Sequence, residues 1–279
     1  MKRILLLCMT TCVFTTGFSQ DETKEKKETN DTIRIGGMII VRKPGNNERD
    51  VITRDRDVRI HNRKSKSENV STNWWIVDLG YSNYKDESNY TQAFSSGFVG
   101  SGVGKDQLKL RAGKSRNVNV WFFMQRLNMI EHVVNLKYGV GLELNNYRFD
   151  NEAIRFQKNP TKIILDNALK DARKNKLAAD YLTVPMMLNL NFTPNRRDGF
   201  GISGGISAGF LYSARQKTKL GDDKDKLHND FDLKRWKLSY VGELLLGPVK
   251  LYGSYALDNM WDKGLDQTPY TVGFRLSNW

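Results

Sequence analysis

Val133-Val134-Asn135-Leu136-Lys137-Tyr138-Gly139-Val140-Gly141-Leu142-Glu143-Leu144-Asn145 alternates apolar and polar side chains without a slip from Val134 onward. Val134, Leu136, Tyr138, Val140, Leu142 and Leu144 share one face; Asn135, Lys137, Gly139, Gly141, Glu143 and Asn145 share the other. Period two is the period of a β-strand. Strands of soluble sheets usually run about five or six residues. This one is long enough to cross a bilayer at a tilt, which takes about 9–11 residues.

The same alternation recurs at 181–192, 200–213, 235–246, 249–257 and 270–277, with noisier versions at 74–81 and 117–128. These make eight strands, an even number that permits closure. Closure removes the unpaired edges that lipid cannot satisfy. The connections sort by length. Those near 83–115, 149–179, 215–233 and 258–269 are long; those near Met129–His132, Pro194–Gly199 and Gly247-Pro248 are tight. Such a long-short alternation is expected when one rim carries extracellular loops and the other periplasmic turns. The expected fold is an all-β, eight-stranded, antiparallel up-and-down transmembrane barrel over 71–279, with a mostly disordered N-terminal extension. Trp75, Tyr81, Phe192, Phe200, Tyr212, Trp236, Tyr255 and Tyr270 fall near strand ends, where interfacial belts form.

The N-terminus fits this destination. Lys2-Arg3, the apolar run Ile4–Met9 and the small-x-small triplet Gly17-Phe18-Ser19 have the layout of a secretory signal peptide over 1–19. Neither Cys8 nor Cys12 follows the leucine-small-small triplet of a lipid anchor. Both cysteines lie in that segment, so the mature chain is expected to have no disulfide, thiolate metal site or cysteine nucleophile. Residues 20–70 read as a flexible periplasmic extension, charged at 21–31, with a β-prone island at 33–41 and one hairpin around Gly36-Gly37. Both termini are then periplasmic.

The formal charge is +13. A secreted chain rarely meets nucleic acid, so a basic balance here points to lipopolysaccharide and anionic headgroups rather than to nucleic acid. The inward barrel face is expected to carry Asp78, Lys137, Glu143, Arg235, Lys237, Glu243, Lys250 and Arg275. An eight-stranded barrel is just wide enough for side chains to fill it. Charges confined there should pair in a network, because isolated buried charges are costly. No catalytic, cofactor or metal site is expected. His61, His132 and His228 fall in the extension, a turn and a long loop. Gly100-x-Gly102-x-Gly104 lacks the strand-turn-helix of a phosphate loop and reads as flexible extracellular loop. Residues 161–176 have helical periodicity, with Ile164, Leu165, Ala168, Leu169 and Ala172 on one face, suited to packing across the barrel mouth.

Three runs, Gly113–Asn119 (GKSRNVN), Asn135–Glu143 (NLKYGVGLE) and Tyr181–Leu188 (YLTVPMML), resemble the PorT-like group of Bacteroidetes outer-membrane barrels. The resemblance covers about 72–279. It implies an outer-membrane barrel from a Bacteroidetes source and assigns no catalytic residues. It brings an association of some members with protein secretion. One departure is that Trp279, the terminal aromatic, is out of phase with Phe274 and Leu276, and a bulge near Ser277-Asn278 would restore it. The expected protein is a monomeric, non-enzymatic barrel. Its expected partners are outer-membrane lipid, lipopolysaccharide, the barrel-assembly machinery and a periplasmic or surface protein.

Overall fold

The computed structural model describes residues 31–35, 38–42, 69–194 and 199–277. The expected signal peptide, most of the extension and Trp279 lie outside them. The chain divides into two units, Met1–Arg63 and Lys64–Trp279. In the first, β1 (Asp31–Ile35) pairs antiparallel with β2 (Met38–Arg42), Ile35 opposite Met38.

The second unit is a closed ring. Its eight strands are β3 (Val70–Asp86), β4 (Arg116–Ile130), β5 (Val134–Arg148), β8 (Lys174–Asn191), β9 (Phe200–Leu220), β11 (Trp236–Leu246), β12 (Val249–Ala256) and β13 (Gln267–Leu276). Each pairs antiparallel with its sequence neighbours, and β13 closes on β3 through Phe274 opposite Leu79. Every expected strand is present. Outward-facing Leu182, Val184, Met186, Leu188, Leu190 and Phe192 are exposed, while Thr183, Met187 and Asn189 between them are buried. From Leu182 to Phe192 that apolar band is ten residue steps, about 33 Å at a strand's rise, or about 25 Å once tilted, the height of a barrel's lipid-facing zone.

The noise in the first two strands has a structural cause. Trp74 pairs with Phe123 and Ile76 with Trp121, leaving Trp75 and Phe122 facing each other without a ladder pair, and Phe122 is an extra residue of β4 against β5. Trp75 adopts φ 56°, and its ring meets Phe122 edge-on at 6.0 Å. Trp74 and Trp75 both face out, which breaks the alternation.

The tight connections hold one rim. The long ones carry structure of their own. The β3–β4 loop contains α1 (Tyr90–Ser95), capped by Asn89, whose side chain accepts from the Gln92 amide. The β5–β8 loop contains a hairpin of β6 (Ile154–Gln157) and β7 (Lys162–Leu165). The expected helix over 161–176 is therefore not formed. Its first residues are strand, Asn167–Leu169 is a single 3-10 turn, and Lys174 onward belongs to β8. The β-branched pair Ile163-Ile164 favours strand. Buried Ile163 gives its carbonyl to Gly100 N at 2.7 Å and its N–H to Phe98 O at 2.9 Å. The glycine-rich stretch is pinned by that pairing rather than loose. In the β9–β11 loop, β10 (Asp223–His228) folds back on the far half of β9.

Candidate functional site: the barrel interior and its cap

The sheet register sets the interior. Arg275 stands opposite Asp78, Asp78 opposite Asn119, and Asn119 opposite Glu143, one inward row across four strands. On the far wall Glu243 stands between Ser203 and Tyr252. Period-two strands in this register must aim these side chains at one another.

Arg275 makes the central contacts. Its Nε and Nη2 donate to the two oxygens of Asp78, each at 2.7 Å, and its Nη1 donates to Glu243. Lys137 donates to the other oxygen of Glu243, which also accepts from Ser203 Oγ at 3.2 Å. Asp78 further accepts from Trp121 Nε1 at 2.7 Å and Asn119 Nδ2 at 3.1 Å. Asn117 then donates to Asn119 and Asn145, and Asn145 donates to Glu143 at 2.9 Å. Glu143 also accepts from Lys237, whose ammonium lies 4.9 Å from the centre of the Tyr181 ring. Three carboxylates and three cations thus form one connected network, all of it buried. Charge-assisted contacts of this kind offset the desolvation that each ion alone could not bear.

Lys250 is buried in the inward phase of β12, on the same face as Tyr252, and donates to the Ser277 carbonyl at 2.6 Å and its hydroxyl at 3.1 Å. One residue expected on the inward face sits elsewhere. Arg235 is exposed and outside the network. It matches Lys237 by alternation, but β11 begins at Trp236 and Arg235 already lies on the rim. The asparagines were not singled out in the sequence, although they stand in the same inward phase as the charges they bridge.

Room for the network comes from small residues. A Cβ on Gly205 would meet Met186 O at 2.1 Å and Met187 Cα at 2.6 Å, so only glycine lets these strands approach. A cavity of about 30 Å³ remains inside, lined by Trp121, Glu143, Thr183, Met187, Glu243 and Arg275 among others.

Above the network the four long loops meet in an apolar cap. Each contributes one ring: Phe98, Phe156, Phe231 and Trp261. Phe156 touches the other loops' rings, at 5.3 Å from Phe231 and stacked at 6.1 Å on Trp261, while Phe98 meets Trp261 edge-on at 5.6 Å. Trp261 Nε1 donates to Gln267 Oε1 at 2.9 Å, so the buried indole is satisfied. Gly264, at φ +87°, passes directly under Phe98, where a Cβ would come within 2.2 Å of the ring. Leu108, Leu110, Tyr147, Phe149 and Ile154 are among the residues packed with them in the cluster.

A closed antiparallel ring with an apolar exterior is the geometry of an outer-membrane protein. The outer membrane protein beta-barrel domain family matches residues 72–258, two thirds of the chain. The chain belongs to that family. It is an outer-membrane β-barrel, and its membrane span is the eight-stranded ring. Among solved structures, that of Ail, the attachment invasion locus protein of Yersinia pestis, is similar at 12% identity and a TM-score of 0.32, over 75% of this chain and 99% of that one. No curated protein sequence matches the chain. In this outer-membrane barrel the described histidines stay apart. His132 lies in the β4–β5 turn with its amide on Asn128, and His228 ends β10 opposite Arg215. Among the described residues no three metal-ligating side chains of His, Asp or Glu stand together.

Proposed function

We propose that this outer-membrane barrel is non-enzymatic, monomeric and non-conducting, and that it serves a structural, adhesive or partner-binding role in the envelope through its outer surface. The filled interior carries this reading. The network of Asp78, Glu143, Glu243, Lys137, Lys237 and Arg275 leaves a cavity of about 30 Å³, space for about two or three waters and not a continuous path. A permeating ion would have to part buried ion pairs and then the aromatic cap, each a loss of several kcal/mol. The runner-up, a narrow channel, needs a continuous wet path. Planar-bilayer recording of the purified full chain separates the two. Silence is expected, and steady single-channel steps would overturn the proposal.

A second reading is an accessory role in a protein-secretion or envelope assembly. The β1–β2 hairpin within the extension and the PorT-like resemblance favour it. Both termini would then be periplasmic, and deleting 20–70 would abolish partner co-purification while the barrel still folds.

A further inference from the structure

Beyond the lipid-facing band, β8, β9 and β10 continue outward as a three-stranded blade. On β8 the outward residues stay even-numbered past Leu182: Asp180, Ala178, Lys176, Lys174. On β9 the pairing skips Tyr212, stepping from Tyr181↔Leu211 to Asp180↔Ser213, and the outward set becomes Ser213, Arg215, Lys217, Lys219. Directly paired residues share a face. Lys174 stands opposite Lys219, and Lys219 opposite Lys224. Lys176 stands opposite Lys217, and Lys217 opposite Lys226. Six lysines therefore form two rows of three on one outward face. Neighbours in a row are about 5 Å apart along the backbone and the rows about 7 Å apart. Arg148 of β5, opposite Lys176, and Arg215 extend the same face.

Most acids are sorted away from it, although Glu152 holds Arg148 at 3.2 Å. Asp223 and Asp225 alternate with Lys224 and Lys226 and so face the opposite side. Asp180 shares the basic face but is bound to Arg215 at 2.6 Å. Asp222, at the exposed tip, reaches Lys219 at 3.6 Å. Among the described residues no carboxylate is within ion-pair distance of Lys174, Lys217, Lys224 or Lys226. Like charges placed directly opposite destabilise a sheet, and a surface shaped for solubility alone intersperses the two signs. The crowding registers on Lys176, whose pKa falls to about 8 through partial burial and then through Lys174, Lys217 and Arg215.

We propose that this face docks the phosphate-bearing headgroup of the outer leaflet's glycolipid, an inference that rests on the reading of this rim as the extracellular one. Charge complementarity calls for a polyanion. Continuity with the lipid-facing band chooses a lipid. Leu182 of β8 and Phe210 of β9 lie on the same strands, six residues below Lys176, with Trp236 of β11 beside them and exposed Tyr212 between. Six residues are about 20 Å of tilted strand, or about 15 Å along the membrane normal, within reach of long lysines to the headgroup layer. Acyl chains on the apolar rows would place a headgroup's phosphates against the basic ones.

The test reconstitutes the full chain in phosphatidylethanolamine nanodiscs containing either diphosphoryl lipid A or lipid A stripped of both phosphates. The discs are dissolved in detergent and lipid A per protein is counted by mass spectrometry. The diphosphoryl form should stay bound and the stripped form should not. Lys174→Gln/Lys217→Gln/Lys224→Gln/Lys226→Gln should retain about tenfold less, since each surface lysine contributes about a fivefold factor at an anionic interface and some of that is screened. Lys105→Gln/Lys109→Gln/Lys158→Gln/Lys170→Gln removes the same charge from other exposed loop positions and should retain lipid A normally. Equal retention of both lipid forms, or equal loss in the two variants, overturns the site. Full displacement by inorganic pyrophosphate at matched phosphate assigns it to a soluble anion and overturns the lipid. If the first variant does not fold, the comparison of the two lipids on the unaltered chain still decides. A conducting lumen would sink the non-conducting reading without altering these lipid counts.

Discussion

Glu243 holds two cations at once, Lys137 on one oxygen and Arg275 on the other, with Ser203 adding a third donor. Removing it strips a carboxylate from both cations inside a dry barrel. Glu243→Leu should cost about 3–5 kcal/mol, the usual penalty for breaking a buried pair from one side. Lys137→Met/Glu243→Leu removes charge from both sides and should recover part of that loss. The readout is the urea concentration at which the unboiled barrel loses its altered mobility on SDS gels. A double variant no better than the single one would refute the coupling. Lys176 makes a different residue-scale prediction. It lies beyond the lipid-facing band, among Lys174 and Asp180 on its own strand, Arg148 on β5, Arg215 and Lys217 on β9, and Lys226 on β10. Its pKa of about 8, below the ordinary 10.5, means the folded chain holds this proton less tightly than the unfolded chain. Its charge therefore opposes folding below about pH 8, and the penalty is relieved as pH rises toward 10.5. Amine labelling followed by mass spectrometry should show Lys176 reacting at pH 8 ahead of exposed Lys105 and Lys158.

At the scale of elements, the cap depends on one ring from each long loop. Phe156 is the central one, buried against Phe149, Phe231 and Trp261. Phe156→Ala should remove about 3–5 kcal/mol from the cap, while leaving the strand ladder intact. Loop 149–173 should then be cut by external protease on whole cells, and the gel shift on boiling should persist. Protection equal to the unaltered chain would mean the loops are held by something other than the aromatic cluster. The strands were legible in the sequence because each repeats one physical rule, apolar out and polar or small in. The loops repeat none. Phe98, Phe156, Phe231 and Trp261 are far apart in the chain and become neighbours only when β13 closes on β3. Helical spacing at 161–176 competed with the β-branched Ile163-Ile164, and pairing with Phe98 and β6 decided it. The inward charges were visible by phase, but Arg235 shows that phase is informative only between a strand's true ends. The lysines of β10 alternate plainly with aspartates in sequence; their opposition to Lys217 and Lys219 needs the hairpin register.

For the whole molecule, closure and loop sorting make a claim about sidedness. The apolar exterior is one band, and everything built on the long-loop rim (the cap, the β6–β7 hairpin, the lysine blade) lies beyond it on one side. Among the described residues the other rim carries the tight β4–β5, β8–β9 and β11–β12 connections. Assembly from the periplasm would carry the short turns last and leave the ends of the chain behind, so the lysine blade should face outward. Two single-cysteine positions report this, in a mature chain expected to have no cysteine of its own once 1–19 is removed. Asp222→Cys lies at the tip of the blade, almost fully exposed, and Pro248→Cys lies in the exposed β11–β12 turn. A membrane-impermeant maleimide applied to intact cells should label position 222 and leave 248 unlabelled until the outer membrane is breached. Labelling at 248 alone would invert the barrel. The lysine face would then meet the inner leaflet and the periplasm, and the case for an outer-leaflet glycolipid would fall even with the ring, the lumen network and the cap unchanged.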